Sequence, residues 1–502
     1  MNIAQFLERG ATLVADKPAI IFEGREISYA ELDQSSSRFA NALIGLGIQP
    51  GDRVGLFLPN IPDFVVAYFG VQKAGATGVA LNVMLTPPEA RFILEDCEAR
   101  ALVTTEELRN NVPSDALPEL EFYLVIGDGP EGGDYSVADL LEKASSETVS
   151  VDMQRDEPAV ILYTSGTTGF PKGATLSHGN VISNCYSAMH NLGIRFDDRL
   201  QLFLPMFHCF GQNAVMVSAM AACATVVLQQ RFTPDGALDA IAHDRVTMFF
   251  GVPTIFITYL NQGITLKQME SVRYFFTAAA TMPKEISATW MDRFQQPMWE
   301  GYGLTETSPF SSYNHFLRHK LGSIGSPIEN VEMCIVDADD NTLPDGEMGE
   351  ICIKGANIML GYWNRPDATA EAIRSGWFHS GDVGYRDDEG YYFICDRIKD
   401  MVITAGFNVY PVEIENVIHG HPAIAEVAVY GMPDDIKGEA VAATVVVGEG
   451  HELTEEALIE FCREKLSNYK VPTRVEFADS IPKGATGKVL KRVLRHDEVK
   501  PE

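Results

Sequence analysis

The sequence predicts an α/β protein: a large N-terminal region in which strands and helices alternate, an antiparallel β portion behind it, and a small α+β unit at the C-terminal end. Three observations predict it. Strand-period and helix-period runs interleave from about residue 28 to residue 79, and from about residue 331 polar, Gly-containing turns separate strand-like runs. After Met401 strands and helices alternate over about a hundred residues, enough for a small domain. The length of 502 residues agrees, since about 150 residues per structural unit gives two to four units.

Taken in order, GREISYAELDQSSSRFANALIGLG places a turn before a helix, and DRVGLFLP supplies a buried strand. Residues 160–163 form another short apolar strand. A Gly-rich loop follows, and Ser177 is placed to cap a helix whose Val181, Cys185, Met189 and Leu192 recur at helical spacing. On this pattern the loop is held between strand and helix. The most apolar window, residues 214–228, is shorter than the roughly 20 residues of a membrane helix and contains Ser218, Cys223 and Thr225, so a buried helix running into a strand is expected. VEMCIVDADDNTLPDGEMGEICIKG and VGYRDDEGYYFICD read as hairpins. Beyond them Pro411 stands where a helix can begin, residues 424–430 and 441–447 read as strands, and Thr454 caps a helix carrying Leu458, Ile459, Cys462 and Leu466. No fixed-period repeat interrupts this order.

Apolar residues at 46% and charged residues at 22% describe an ordinary folded chain. Acidic residues outnumber basic ones 69 to 39, and the net charge of −30 disfavours general nucleic-acid binding. The N-terminal segment lacks the basic start and uninterrupted apolar core of a secretory signal, and no integral membrane segment is predicted, so a cytoplasmic location is expected. Eight scattered cysteines without a CxxC pair suggest reduced thiols and make a cysteine zinc site improbable.

The chemistry concentrates in a few segments. In YTSGTTGFPKG, residues 163–173, the hydroxyls of Thr164, Ser165, Thr167 and Thr168, the tight backbone allowed by Gly166 and Gly169, and the charge of Lys172 suit a polyphosphate. The loop is not of Walker A type, because only two residues separate Gly166 from Gly169 and Pro171 precedes Lys172. In GYGLTE, Gly301 and Gly303 permit close approach of a flat ring, Tyr302 offers a stacking face, Thr305 a hydroxyl for phosphate, and Glu306 a hard carboxylate suited to Mg²⁺. Other residues have plainer readings when taken alone. Asp382 fits a turn, Arg397 a surface salt bridge, Lys488 a solvated basic tail, and His208, within an apolar segment, a satisfied core residue.

Together with WEGYGLTET at 299–307, WFHSGDVGY at 377–385, DRIKDMVITAGFNVYPVEIE at 396–415 and PKGATGK at 482–488, the hydroxyl loop resembles the adenylate-forming superfamily of acyl-CoA synthetases, carrier-domain adenylating modules and luciferases. The five segments occur in the family's order and span most of the chain. The resemblance implies an adenylation domain over residues 1–396, built of mixed sheets sandwiched by helices plus a small antiparallel β part. It further implies a hinge at 397–400 and a mobile lid domain over 401–502. Asp382 becomes the ribose ligand, Arg397 a second nucleotide contact, and Ala279 and Ala280 part of the adenine-side segment. Lys399 takes the hinge position, and Gly406, with Ala405 and Phe407, lines the pantetheine channel. Lys488 is then the principal catalytic residue of the first half-reaction, and His208 a gate or orienting residue between the acyl and thiol sites.

The implied reaction is ATP-dependent activation of a carboxylic acid to acyl-AMP with pyrophosphate release, followed by transfer to the thiol of CoA. The apolar stretch 207–228, with Phe249, Val252 and Met282, leans the expectation towards a medium- or long-chain fatty acid; an aryl acid is the rival, and an acyl-carrier protein the rival acceptor. A catalytically silent acyl- or nucleotide-binding scaffold and a kinase-like transferase are the readings from other classes. The chain departs from the family's usual pattern at Ala405 for Ser, Gly484 for Thr, and Ala278 and Thr281 for Gly and Pro. Because ATP and CoA are polyanions, an acidic protein must hold them locally, through backbone donors, Mg²⁺, Lys172, Arg397, Lys488 and the basic cluster 483–495. Oligomeric state is not set by the sequence.

Overall fold

Two large sheets with parallel centres form the body of the computed structural model, which describes residues 1–112, 117, 119–127, 134–164, 171–315, 318–398, 400–404, 407–434, 438–448, 450–484 and 488–495. In the nine-stranded sheet, Pro18–Phe22, Thr225–Leu228, Arg199–Leu202, Met248–Gly251, Tyr274–Thr277 and Met298–Gly303 lie parallel, side by side in that order. Arg25–Ser28 closes one edge, and Phe310–Tyr313 with Ser326–Pro327 the other, all antiparallel. The eight-stranded sheet repeats the plan. A parallel run from Tyr135–Ser136 through Phe122–Ile126, Ala99–Thr105, Arg53–Phe57 and Thr77–Ala80 reaches Pro158–Thr164, then turns antiparallel into Lys172–Ser177 and Gly361–Tyr362.

Both sheets and the helices Tyr29–Gly45, Pro62–Lys73 and His178–Leu192 bury their apolar faces in one core. The last of these helices starts as its sequence predicts. Ser177 accepts from the Asn180 backbone N–H and Asn180 answers on the Ser177 N–H, a pair worth about 1 kcal/mol. The Gly-rich loop does not run directly into this helix, however. Residues 173–177 are buried and pair as a strand with Pro158–Thr164, so a strand stands between the loop and the helix. Six residues ending in a cap were too few to show a strand period.

Residues 214–228 do run from helix to strand, but the helix opens as a π-helix, Phe210–Val217, before Ser218–Ala221 and the strand Thr225–Leu228. Such wide turns cluster at functional sites, and this one begins two residues after His208. Both expected hairpins form: Val331–Val336 pairs with Gly349–Gly355, and Trp377–Arg386 with Tyr392–Arg397, in a five-stranded antiparallel sheet with Ile373–Arg374.

Beyond residue 400, Val402–Thr404, Phe407–Val409, Ile424–Asp434 and Gly438–Val447 form an antiparallel sheet that Arg474–Phe477 joins in parallel. Helices Pro411–His419 and Glu455–Arg463 cover it, and Val402, Ile414, Val429, Val445, Leu458 and Val475 close a core separate from that of the large sheets. The second helix ends before the expected Leu466, whose N–H reaches back to the Cys462 carbonyl at 2.8 Å while its side chain still packs on that core. This unit leans through Pro411–His419 on the helix Lys284–Phe294, and the Val412 N–H donates to Asp396 at 3.0 Å. Among the described residues no helix is long and apolar enough to cross a membrane.

Candidate active site

The functional loops hang from equivalent places in the two large sheets. In each sheet the last parallel strand passes into an antiparallel neighbour. Residues 164–172 form that passage in the eight-stranded sheet, where Thr164 and Lys172 face each other, and residues 303–310 form it in the nine-stranded one. Lys172 Nζ lies 5.3 Å from the centre of the Tyr362 ring, and the Tyr362 hydroxyl donates to Glu306 Oε1 at 2.8 Å. Lys172 and Glu306 are thus joined through one phenol. Ser165, Gly166, Thr167, Thr168 and Gly169, within the first loop, lie outside the described residues, as do Lys399, Ala405 and Gly406.

Asp382 is buried on the third sheet, where its strand makes a bulge. Glu350 pairs with Val383 and Cys352 with His379, so residues 380–382 stand against Ile351 alone, and Gly381 adopts φ +72°. A bulge bends the strand and re-aims the side chain that follows. The Tyr302 hydroxyl donates to Asp382 Oδ2 at 2.7 Å, and Arg397 Nε stands 3.0 Å from Oδ1. Tyr302, expected to offer a stacking face, therefore also holds the carboxylate. Asp382 first, and more weakly Tyr302, Asp400 and Glu306, raise the pKa of the Arg397 guanidinium, which burial opposes.

The glycines of GYGLTE have a packing reason. A side chain at Gly303 would strike the Pro309 carbonyl and one at Gly301 the Phe276 ring, so protein atoms, rather than the expected flat ring of a ligand, account for the missing side chains. Thr305 opens the 3-10 turn Thr305–Thr307 that carries Glu306. On the strand before it Glu300 is buried, and burial pushes its carboxyl up to about 8 although it accepts from the Met282 N–H and faces Lys284. Ala279 holds φ +73°, sparsely populated for any residue but glycine, and Ala280 beside it is exposed.

Lys488 follows a tight reversal in which Lys483 bridges Val489 and the Gly484 N–H donates to the Lys488 carbonyl at 2.8 Å. Its charge reaches His208, 280 positions earlier in the chain. His208 Nδ1 accepts from the Phe210 N–H at 3.2 Å, which leaves the proton on Nε2. Burial, and then Lys488, press its pKa down to about 3, so the ring is a neutral donor at physiological pH. Of the expected acyl-pocket residues, Phe249 lies instead in a core cluster, with ring centres 5.6 Å from Phe203 and 6.3 Å from Phe275, and Val252 and Met282 are also buried. Phe207 is only half-buried. Tyr362 escaped the sequence reading because its partner Glu306 lies 56 residues away and only the fold joins them.

Comparison with known proteins agrees with this geometry. Residues 7–363 match the model of the AMP-binding enzyme family, and residues 413–488 that of the AMP-binding enzyme C-terminal domain. A feruloyl-CoA synthase from Amycolatopsis sp is 35% identical over 490 residues, covering 97% of each chain. A long-chain-fatty-acid–CoA ligase from Salmonella typhimurium is 35% identical over 532 residues, covering 99% of this chain and 94% of the relative. The crystal structure of the anthranilate CoA ligase AuaEII with anthranoyl-AMP superposes with a TM-score of 0.93 at 29% identity, covering 99% of this chain and 96% of that one. The chain belongs to the AMP-binding enzyme family and is an AMP-forming acyl-CoA ligase, with a carboxylic acid, ATP and CoA as its substrates.

Proposed function

We propose that the acid is a medium- or long-chain fatty acid, activated and transferred to CoA in the cytoplasm. Asp382, held between the Tyr302 hydroxyl and Arg397, with the charge of Lys488 reaching His208, carries the reaction part of this reading. The apolar π-helix behind His208 and the long-chain-fatty-acid relatives favour an aliphatic acid, while the eight free cysteines suit a reducing compartment.

In the first step a carboxylate oxygen of the acid attacks the α-phosphorus of ATP, a P–O bond breaks, and pyrophosphate leaves. Asp382 accepts from the ribose hydroxyls, Arg397 reaches the nucleotide, and the segment holding Ala279 and Ala280 borders the adenine. Lys488 holds its ammonium where charge develops between carboxylate and α-phosphate. Lys172 and the hydroxyls of Thr164, Ser165, Thr167 and Thr168 hold the departing pyrophosphate. Glu306, with one oxygen on Tyr362, offers a hard carboxylate that would hold Mg²⁺, whose charge would offset that of the pyrophosphate, and the Thr305 hydroxyl reaches a phosphate. In the second step the thiol sulfur of CoA attacks the acyl carbon, AMP departs, and the thiol proton passes to solvent.

The steps need different surroundings. The unit 401–502 has its own core and joins the body through residues 397–400, so it rotates between steps as a lid on a hinge that includes Lys399. Phe407, exposed and stacked on Tyr469 at 4.8 Å in the present arrangement, turns with Ala405 and Gly406 towards the pantetheine channel in the other.

Two experiments test the two parts. Lys488→Ala should lower acid-dependent pyrophosphate release by about a thousandfold and leave CoA thioester formation from supplied acyl-AMP within about threefold. Equal loss of both half-reactions sinks the assignment. With the wild-type chain, a panel of fatty and aryl acids, each with CoA or acyl-carrier protein, should give the fastest thioester formation with fatty acids and CoA. Preference for feruloyl-type acids selects the aryl reading, and preference for the carrier protein replaces the acceptor.

A further inference from the structure

We infer that Glu350 is a positioning residue for nucleotide recognition: it fixes the bulge that aims Asp382, and through it the discrimination of the ribose hydroxyls. The inference rests on the reading of Asp382 as the ribose ligand. Glu350 Oε1 accepts from the Gly381 N–H at 2.9 Å, at the residue whose φ of +72° makes the bulge. Next to it the Ser380 hydroxyl donates to the Ile351 carbonyl at 2.7 Å and accepts from the Asp382 N–H at 3.0 Å. Between them, two side chains satisfy the backbone groups that the bulge withdraws from the ladder, and Asp382 emerges pointing at Tyr302 and Arg397.

Glu350 is itself held from the other side. Its Oε2 lies 2.9 Å from His379 Nδ1 and 3.8 Å from Arg374 Nη2, and the same guanidinium pairs with Asp340 at 2.8 Å. With Oε2 anchored, Oε1 has one direction left, towards Gly381. Cys352 and His379 stand close enough to Glu350 for the three to hold a metal, but the Arg374 guanidinium, 2.8 Å from His379 Nδ1, already supplies the cation at that point. The cluster therefore reads as a brace. Glu350 touches no reacting atom and acts only through the backbone of Gly381.

A purely structural role and a positioning role separate in the ratio of two affinities. Equilibrium binding of ATP and of 3′-deoxy-ATP to the full chain, by calorimetry, should show the wild type preferring ATP at least about tenfold, the worth of a hydrogen bond to a charged acceptor. Asp382→Asn should reduce that preference; if it does not, or the wild type shows none, the ribose reading of Asp382 fails and the inference falls with it. With that reading intact, Glu350→Ala should cut the preference about fivefold or more, whatever it does to overall stability, and Glu350→Gln, which keeps an acceptor for Gly381, should restore it to within about twofold. A Glu350→Ala chain that binds both nucleotides more weakly but keeps the wild-type ratio overturns the inference alone.

Discussion

The two sides of the cleft are built differently. On one, Glu306 on its 3-10 turn and Asp382 on its strand are buried, and each accepts from a tyrosine hydroxyl, Tyr362 for the first and Tyr302 for the second. On the other, Lys488 stands on the C-terminal unit, which has its own core, while Lys172 opens a strand of the body and lies against Tyr362. The carboxylates, with Lys172 and Arg397, are fixed by the body of the protein, and Lys488 is delivered to it. A polyanionic substrate explains the asymmetry. On the proposed reading, rigid carboxylates orient ribose and metal without reorganising, whereas Lys488 withdraws with the C-terminal unit for the second half-reaction. A net charge of −30 sharpens this need, because attraction at long range is absent and the cations act only at contact.

If the fixed side is as preorganised as its hydrogen bonds indicate, removing one hydroxyl should be felt in catalysis and hardly in folding. Tyr302→Phe and Tyr362→Phe each take a donor from a buried carboxylate while keeping the ring, and each should cost about tenfold in kcat/KM for ATP, or roughly 1.4 kcal/mol, with Tm nearly unchanged. The two should differ in kind: loss at Tyr302 should appear as weaker nucleotide binding, and loss at Tyr362 as a higher requirement for Mg²⁺. Steady-state titrations of ATP and Mg²⁺ check this, and a Tyr362→Phe chain with unchanged Mg²⁺ dependence breaks the pairing of phenol and metal ligand.

How far the sequence foretold this comparison depends on which contacts were local. The hairpin 331–355, the Ser177 cap and the helix at Pro411 rest on neighbours within a few residues, and each forms where its pattern places it. Lys172 and Glu306 were nameable from the chemistry of their own segments, Asp382 and Lys488 because theirs resemble a family. The strand Lys172–Ser177 was not legible, being too short to show a period, nor were Tyr362 and Glu350, whose partners Glu306 and Gly381 lie 56 and 31 residues away. Gly303 carried a misleading signal: a glycine admits a ligand and a neighbouring carbonyl equally well, and only the fold shows Pro309 in that space.

His208 tests the delivered side more gently. A neutral ring with its proton on Nε2 orients a group but cannot accept a proton there, so His208→Gln, which keeps a side-chain donor, should stay within about threefold of wild type in adenylation, while His208→Ala should lose more. Because its pKa is pressed to about 3, His208 should contribute no inflection to the pH–rate profile above pH 5, and the acid limb should be the same in wild type and His208→Gln. An acid limb near 6.5 that the glutamine variant lacks would make His208 a base and withdraw the orienting role.

Glu300 supplies the smallest effect and the internal control, because this third carboxylate shares the wall of Glu306 without a tyrosine hydroxyl. Held by one N–H and buried, its carboxyl is pushed up from 4.5 to about 8. The folded chain therefore keeps a proton that the unfolded chain releases above 4.5. The stability this group contributes is complete below 4.5 and is lost as pH rises towards 8, with a slope approaching about 1.4 kcal/mol per pH unit between those values. Glu300→Gln keeps shape and acceptor without the titration, so its Tm should gain on wild type steadily from pH 5 to 8 while adenylation at pH 7 changes by less than about twofold. Parallel Tm curves over that range would mean that Glu300 is ionised against Lys284, and that burial alone does not divide the carboxylates of this wall into those that bind and the one that packs.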